Sequence, residues 1–71
     1  MGNNIKLIVK NNIRKYRKSR EYTQEKLAEL TGIDYKYIQR LESKNPPNIT
    51  IETIAKLAKA LKIESSDLFK K

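Results

Sequence analysis

The sequence contains no cysteine, no histidine and no tryptophan, and only two glycines and two prolines in 71 residues. Without cysteine there is no disulfide framework and no thiolate metal site. Without histidine the chain lacks the most common general base and the most common metal ligand. No run approaches 18 consecutive apolar residues, so no membrane-spanning helix is predicted. These absences argue against an enzyme, a metalloprotein and a membrane protein, and they predict neither a cofactor nor a bound metal.

The length of the chain predicts one small domain over residues 1–71. A domain of this size buries only about 60% of the surface that its unfolded chain exposes, so a deep catalytic cleft would leave little core. The few glycines and prolines fall between segments of helical periodicity, which favours helices throughout. We therefore expect an all-α fold, a compact bundle of about five short helices. No secretion signal is recognisable, which predicts a cytoplasmic location.

Positive charge is concentrated at one end of the sequence. Lysine and arginine number 16 against 8 acidic residues, which gives a formal net charge of +8. All charged residues among the first 20 are basic. Such a block is typical of proteins that bind a polyanion. The alternative is a solvated helix face that only keeps the protein soluble, and charge alone does not separate the two.

Periodicity and capping signals divide the chain into helices. Apolar residues recur every three or four positions over residues 5–16, which predicts a first helix from about residue 4 to residue 19. The second helix is expected to end at Gly32 in a left-handed conformation, and the third to end near Ser43. Adjacent prolines make residues 44–48 a rigid loop. The N-caps predicted for the five helices are Asn3 or Asn4, Thr23, Asp34, Thr50, and Ser65 or Ser66.

Residues 23–43 carry the ordered pattern of a helix-turn-helix motif. Ala28 is small enough to let the second helix of the motif cross closely over the first. Gly32, four residues later, permits the turn. Apolar side chains then hold the turn and the following helix against the core, and the residues in those places are Ile33, Ile38 and Leu41. Each match is weak by itself, but the ordered set predicts this motif.

The same stretch resembles a known family. The sequences TQEKLA (residues 23–28), TGID (31–34) and IQRLE (38–42) are similar to those of Cro and phage-repressor (XRE-like) helix-turn-helix regulators, and the likeness extends from about residue 9 to residue 69. It implies a lambda-repressor-like fold and a sequence-specific DNA-binding transcriptional regulator. Within the family, restriction–modification controller proteins are the most similar. The likeness rests on the short length of the chain and on residues 34–38 and 48–51. Ser43 and the Pro46–Pro47 pair depart from the family pattern, which leaves the path of that loop open.

The third helix is expected to read DNA bases. At about 100° per residue, Ile38 and Leu41 define its inward face, and the opposite face carries basic and amide groups. Arginine and lysine read guanine, glutamine reads adenine, and the N-terminal part of this helix enters the major groove in such motifs. The alternative is an ordinary solvated face flanked by two half-buried tyrosines. The residues predicted to read bases are Tyr35, Lys36, Gln39 and Arg40.

Other residues are expected to contact DNA phosphates. Gln24 opens the second helix, where free amides and the helix dipole favour an anion. The family resemblance also implies that this glutamine contacts the DNA backbone. The alternative is that these side chains serve only the helix start and the turn. The remaining residues predicted to contact phosphates are Thr23, Tyr37, Ser43, Lys44 and Asn48.

Two further expectations concern stability and assembly. The resemblance implies an ion pair between Arg17 and Glu42 that ties the first helix to the third. Because one helix-turn-helix reads only a few base pairs, such domains bind palindromic sites as dimers. Apolar residues near the C-terminus are candidates for the dimer interface, although they are nearly as well explained by closure of the core. These residues are Ile51, Ile63, Leu68 and Phe69.

The predicted partners are double-stranded DNA, a second copy of the chain, and RNA polymerase at a promoter; no membrane is expected as a partner. A phage-type repressor or an antitoxin with the same domain is the nearest rival function. A co-activator module that bridges proteins and binds DNA weakly is another, and exposed Leu7 and Tyr22 would then form part of its partner surface. Sequence-selective DNA binding separates the regulators from the co-activator.

Overall fold

The computed structural model describes residues 4–71, which form four α-helices followed by one 3-10 helix and contain no strand. The all-α prediction is therefore confirmed, whereas the fifth helix differs from the expectation in type. It has only five residues, and short helical segments commonly take the tighter 3-10 form. The elements are α1 (Ile5–Ser19), α2 (Gln24–Thr31), α3 (Tyr35–Leu41), α4 (Ile51–Leu61) and the 3-10 helix (Ser65–Phe69).

Three of the predicted helix caps are present. The hydroxyl of Thr23 accepts a hydrogen bond from the backbone N–H of Lys26 at 2.9 Å, and that of Thr50 accepts from Thr53 at 3.1 Å. The carboxylate of Asp34 accepts from the N–H of Lys36 at 3.4 Å. Each bond satisfies an N–H group that has no partner within its helix.

The other helix ends agree with the prediction only in part. Asn4 is the N-cap residue of α1, as one of the two alternatives predicted, but its side chain makes no capping bond, and Asn3 lies outside the described residues. α3 ends at Leu41 rather than near residue 43. There the Ser43 hydroxyl donates to the Arg40 carbonyl at 2.7 Å, a local bond that competes with continuation of the helix.

The N-cap of the 3-10 helix is Glu64 instead of Ser65 or Ser66. Glu64 and Asp67 form a capping box, in which each side chain accepts a hydrogen bond from the other residue's backbone N–H. The Asp67 carboxylate also accepts from Lys70 Nζ at 2.8 Å. The bond from Lys70 and the one from the Glu64 backbone lower the pKa of Asp67 below its usual value. This carboxylate, which accepts two hydrogen bonds, stabilises the start of the 3-10 helix. The neighbouring serines, Ser65 and Ser66, do not do so.

The core is a continuous apolar cluster to which every helix contributes. The 3-10 helix packs against α1 and α4, and α2 packs against α3 and α4. Leu68 is fully buried inside the chain and closes the core, which is the alternative given for it above, while its place in a dimer interface stays a prediction. Ile63 is half-buried and packs against the same cluster. The buried apolar residues are Val9, Ile13, Leu27, Ala28, Ile38, Leu41, Ile54, Leu57, Ala58, Leu61 and Leu68.

Two polar side chains, Asn12 of α1 and Arg20 at its C-cap, hold distant parts of the chain together. Asn12 Nδ2 donates to the carbonyls of Leu68 at 2.9 Å and Lys70 at 2.7 Å. Arg20 Nε donates to the Leu61 carbonyl at 2.8 Å, at the end of α4. These bonds satisfy carbonyls that helix ends leave without partners. Within residues 4–71, no helix has the length and apolar character needed to cross a membrane.

Candidate nucleic-acid interface

The turn between α2 and α3 has a defined geometry. Gly32 takes a left-handed conformation, with φ at 76°, as predicted for the residue that ends α2. The Thr31 hydroxyl donates to the Leu27 carbonyl at 2.8 Å and accepts from the N–H of Ile33 at 3.1 Å. Ile33 is half-buried against the core. These local contacts fix the direction in which α3 leaves the turn.

A buried ion pair ties α1 to the end of α3. Arg17 Nε donates to Glu42 Oε2 at 2.7 Å, and Arg17 Nη2 donates to Glu42 Oε1 at 2.9 Å. The third guanidinium nitrogen, Nη1, donates to the Tyr22 carbonyl at 2.7 Å. Arg17 is only 8% exposed and the Glu42 side chain only 2%. The two residues that the resemblance implied as a pair therefore form a bidentate contact under the motif.

Gln24 belongs to the same network. Its Nε2 donates to Glu42 Oε1 at 3.1 Å, and the residue is half-buried at the start of α2. An amide nitrogen carries two hydrogens, so one remains for another acceptor. Gln24 thus links the beginning of α2 to the end of α3, an interaction that the sequence analysis did not predict. Its carboxamide is oriented by the buried Glu42 carboxylate.

The four residues predicted to read bases all lie on α3. Ile38 and Leu41 are buried beneath them, as the periodicity predicts. Tyr35 is half-buried, and its hydroxyl accepts a hydrogen bond from Gln39 Nε2 at 3.1 Å. The three exposed residues among the four are Lys36, Gln39 and Arg40. α3 therefore presents two cations, an amide and a phenol on its solvent side.

The residues predicted to contact phosphates have mixed surroundings. Thr23, Lys44 and Asn48 are exposed, and the Thr23 hydroxyl caps α2. Tyr37 is half-buried, and its hydroxyl donates to the Asn48 carbonyl at 3.0 Å, joining α3 to the loop that follows it. The Ser43 hydroxyl is engaged with the Arg40 carbonyl. Tyr37 and Ser43 thus stabilise the end of α3, while Lys44 offers a free-standing cation beside it.

Comparison with known proteins identifies the family of this chain. A helix-turn-helix family matches residues 13–68, which include all of α2 and α3. The chain belongs to the helix-turn-helix family. It is a DNA-binding regulator of the XRE type, and the predicted fold and family are confirmed.

Individual relatives of this helix-turn-helix protein support the same conclusion. The control protein C.SmaI from Serratia marcescens is 44% identical over 57 residues, which cover 80% of this chain and 67% of that protein. The restriction-modification controller protein C.AhdI from Aeromonas hydrophila has a crystal structure that superposes with a TM-score of 0.83 at 34% identity, over 90% of this chain and 96% of that one. A hypothetical transcription factor, NHTF from Neisseria, superposes with a TM-score of 0.86 at 31% identity, over 92% and 72% of the two chains.

An apolar groove of about 330 Å³ lies on the surface of this helix-turn-helix protein. Two predicted dimer residues line it: Ile51 is 88% exposed and Phe69 is 45% exposed. The other apolar residues that line it were not predicted to belong to this surface, because the apolar spacing over residues 5–16 predicts only a helix. Ile5 is 41% exposed. The residues that line the apolar groove are Ile5, Lys6, Val9, Asn48, Ile49, Ile51, Ile54 and Phe69.

Proposed function

We propose that this helix-turn-helix protein acts in the cytoplasm as a homodimer that reads an inverted-repeat operator and controls a restriction–modification operon. The observation that carries this proposal is the exposed polar face of α3, formed by Lys36, Gln39 and Arg40 above a buried apolar side. Likeness to the control protein C.SmaI and the controller protein C.AhdI favours this kind of regulator.

Base reading is assigned to the exposed face of α3. Lysine and arginine match the two acceptors of guanine, and glutamine matches the donor and acceptor of adenine. The turn at Gly32 and the Arg17–Glu42 pair hold α3 in one orientation on the scaffold. A rigid reading helix loses little conformational freedom when it enters the major groove, which favours selective binding.

Phosphate contacts would position that helix on the duplex. Gln24 lies at the N-terminus of α2, where the helix dipole favours an anion and the carboxamide retains a hydrogen for donation. Lys44 lies just beyond the C-terminal end of α3. Each phosphate contact made by a cation releases counterions, so we expect the affinity to fall steeply as the salt concentration rises.

The apolar groove is the surface assigned to the dimer. Ile51 and Phe69 are large apolar side chains that a monomer leaves in water, and their burial against a second copy would be favourable. Two copies related by a twofold axis would present two α3 helices to half-sites about 34 Å apart. The position of that site relative to the promoter, and to RNA polymerase on it, would then decide between activation and repression.

Selection from random duplex DNA at about 150 mM salt tests the proposal. We expect enrichment of an inverted repeat whose half-sites lie one helical turn apart. Lys36→Ala on α3 should change the selected sequence or weaken binding to it. Lys59→Ala, which removes the same charge from an exposed position of α4, should select the wild-type repeat.

Binding that depends on salt but enriches no sequence would refute the regulator function. It would favour a module that bridges proteins, and half-buried Tyr22 and exposed Leu7 would then be tested as its partner surface.

A further inference from the structure

Tyr35 and Gln39 lie one turn apart on α3 and are joined by a hydrogen bond. Gln39 Nε2 donates to the Tyr35 hydroxyl at 3.1 Å. The Tyr35 ring is half-buried and packs against the apolar core, whereas Gln39 is exposed. The core therefore holds the phenol in place, and the phenol in turn restrains a side chain that has no packing of its own.

This restraint matters because a free glutamine is a poorly ordered group for reading a base. Its three side-chain torsions must all be fixed when it binds, which opposes binding. The bond to Tyr35 uses one of the two hydrogens on Nε2. When the hydrogen trans to Oε1 makes this bond, Oε1 and the cis hydrogen remain side by side in one plane. That donor–acceptor edge matches the N6 and N7 atoms of adenine in the major groove.

We propose that Tyr35 and Gln39 act as one unit, in which the Tyr35 hydroxyl orients the Gln39 carboxamide to read an adenine in each half-site. The inference rests on the proposed function, because it requires that α3 enters the major groove. Tyr35 is then a positioning residue for Gln39, and the two side chains together determine the preference at a single base pair.

Tyr37 provides a matched comparison on the same helix. Its hydroxyl donates to the Asn48 carbonyl and so stabilises the loop after α3 rather than a base-reading side chain. Removing that hydroxyl should weaken binding to all duplexes by a similar factor. Removing the Tyr35 hydroxyl should instead change the ratio of affinities between duplexes that differ at one base pair.

The test uses the operator selected by the wild-type protein and duplexes that carry each of the four base pairs at every position of a half-site. Dissociation constants are measured for the wild type, Tyr35→Phe, Gln39→Ala and the double variant. We expect each single variant to lose about tenfold in discrimination at the same A·T pair, within the range of one bidentate contact. The double variant should lose no more than either single variant, because the two substitutions break one interaction.

Additive losses, losses at different base pairs, or a Tyr35→Phe protein with wild-type discrimination would each overturn the coupling. Thermal unfolding of both single variants near the wild-type midpoint should accompany the expected result, because Gln39 is exposed and Tyr35→Phe keeps the packed ring. A wild-type protein that selects no operator would end the proposed function itself. A wild-type protein that selects an operator, together with an unaffected Tyr35→Phe, would end only this inference.

Discussion

Removal of the Arg17 guanidinium should destabilise the fold more than substitution of any exposed residue of α1. Arg17→Ala removes two hydrogen bonds to Glu42 and one to the Tyr22 carbonyl. It leaves a carboxylate whose side chain is 2% exposed with Gln24 as its neighbouring donor. Breaking a buried ion pair in this way costs about 3–5 kcal/mol.

That cost is large for a chain of this size. At about 0.05–0.15 kcal/mol per residue, 71 residues have a total stability of roughly 4–11 kcal/mol. In a domain of this length, 1 kcal/mol lowers the unfolding midpoint by about 4–8 °C, so the loss corresponds to about 12–40 °C. Circular dichroism during heating measures the midpoint. Arg14→Ala is the matched control, because Arg14 is an exposed arginine of the same helix and its removal should change stability by less than about 0.5 kcal/mol.

A second variant identifies the cause of the loss. Arg17→Ala combined with Glu42→Gln should be more stable than Arg17→Ala alone, because a neutral amide costs less to bury without its partner than a carboxylate does. An Arg17→Ala protein that unfolds at the wild-type temperature but no longer binds DNA would refute this reasoning. Arg17 would then belong with the residues that contact DNA.

Three other predictions follow from single features. Gly32→Ala should cost about 1–2 kcal/mol because of the left-handed backbone alone, since a Cβ there meets no atom within 4 Å; urea unfolding with a wild-type midpoint would contradict this. Phe69→Ala should give a folded monomer in sedimentation velocity, and an unchanged dimer would remove Phe69 from the interface. The lowered pKa of Asp67 means that its stabilising contribution is present above about pH 3.8 and is lost as the pH falls through the lower folded-state pKa. The unfolding midpoints of wild type and Asp67→Asn should therefore differ near neutral pH and converge in acid, and a constant difference would exclude this role.

Local signals in the sequence were sufficient to predict most of the helix ends. Thr23 and Thr50 cap helices because a hydroxyl at that position bonds within the next three residues, and Gly32 ends α2 because it tolerates positive φ. The inward positions of α3 were likewise predictable, because helical periodicity is set by spacing along the chain. Such features depend on neighbours along the chain, so the sequence alone contains the information.

Features that depend on distant residues were not predictable in this way. Leu68 and Phe69 are adjacent and both apolar, and which one faces the core depends on how the 3-10 helix is rotated against α1 and α4. The bonds from Asn12 to carbonyls more than fifty positions away have no signal in local spacing. The Tyr35–Gln39 pair lies at helical spacing, but its geometry also requires that the core hold the tyrosine ring.

The apolar groove is built from three separate parts of the chain. Ile5 and Val9 belong to α1, Ile51 and Ile54 to α4, and Phe69 to the 3-10 helix. The groove therefore exists only in a chain that has folded throughout. We expect that an unfolded or shortened copy lacks this surface and cannot dimerise with an intact copy. Such copies should therefore leave the intact protein active. Variants that lose function because they do not fold should accordingly be recessive. Folded variants with substitutions on α3 should instead inactivate the dimers that they form with wild-type copies.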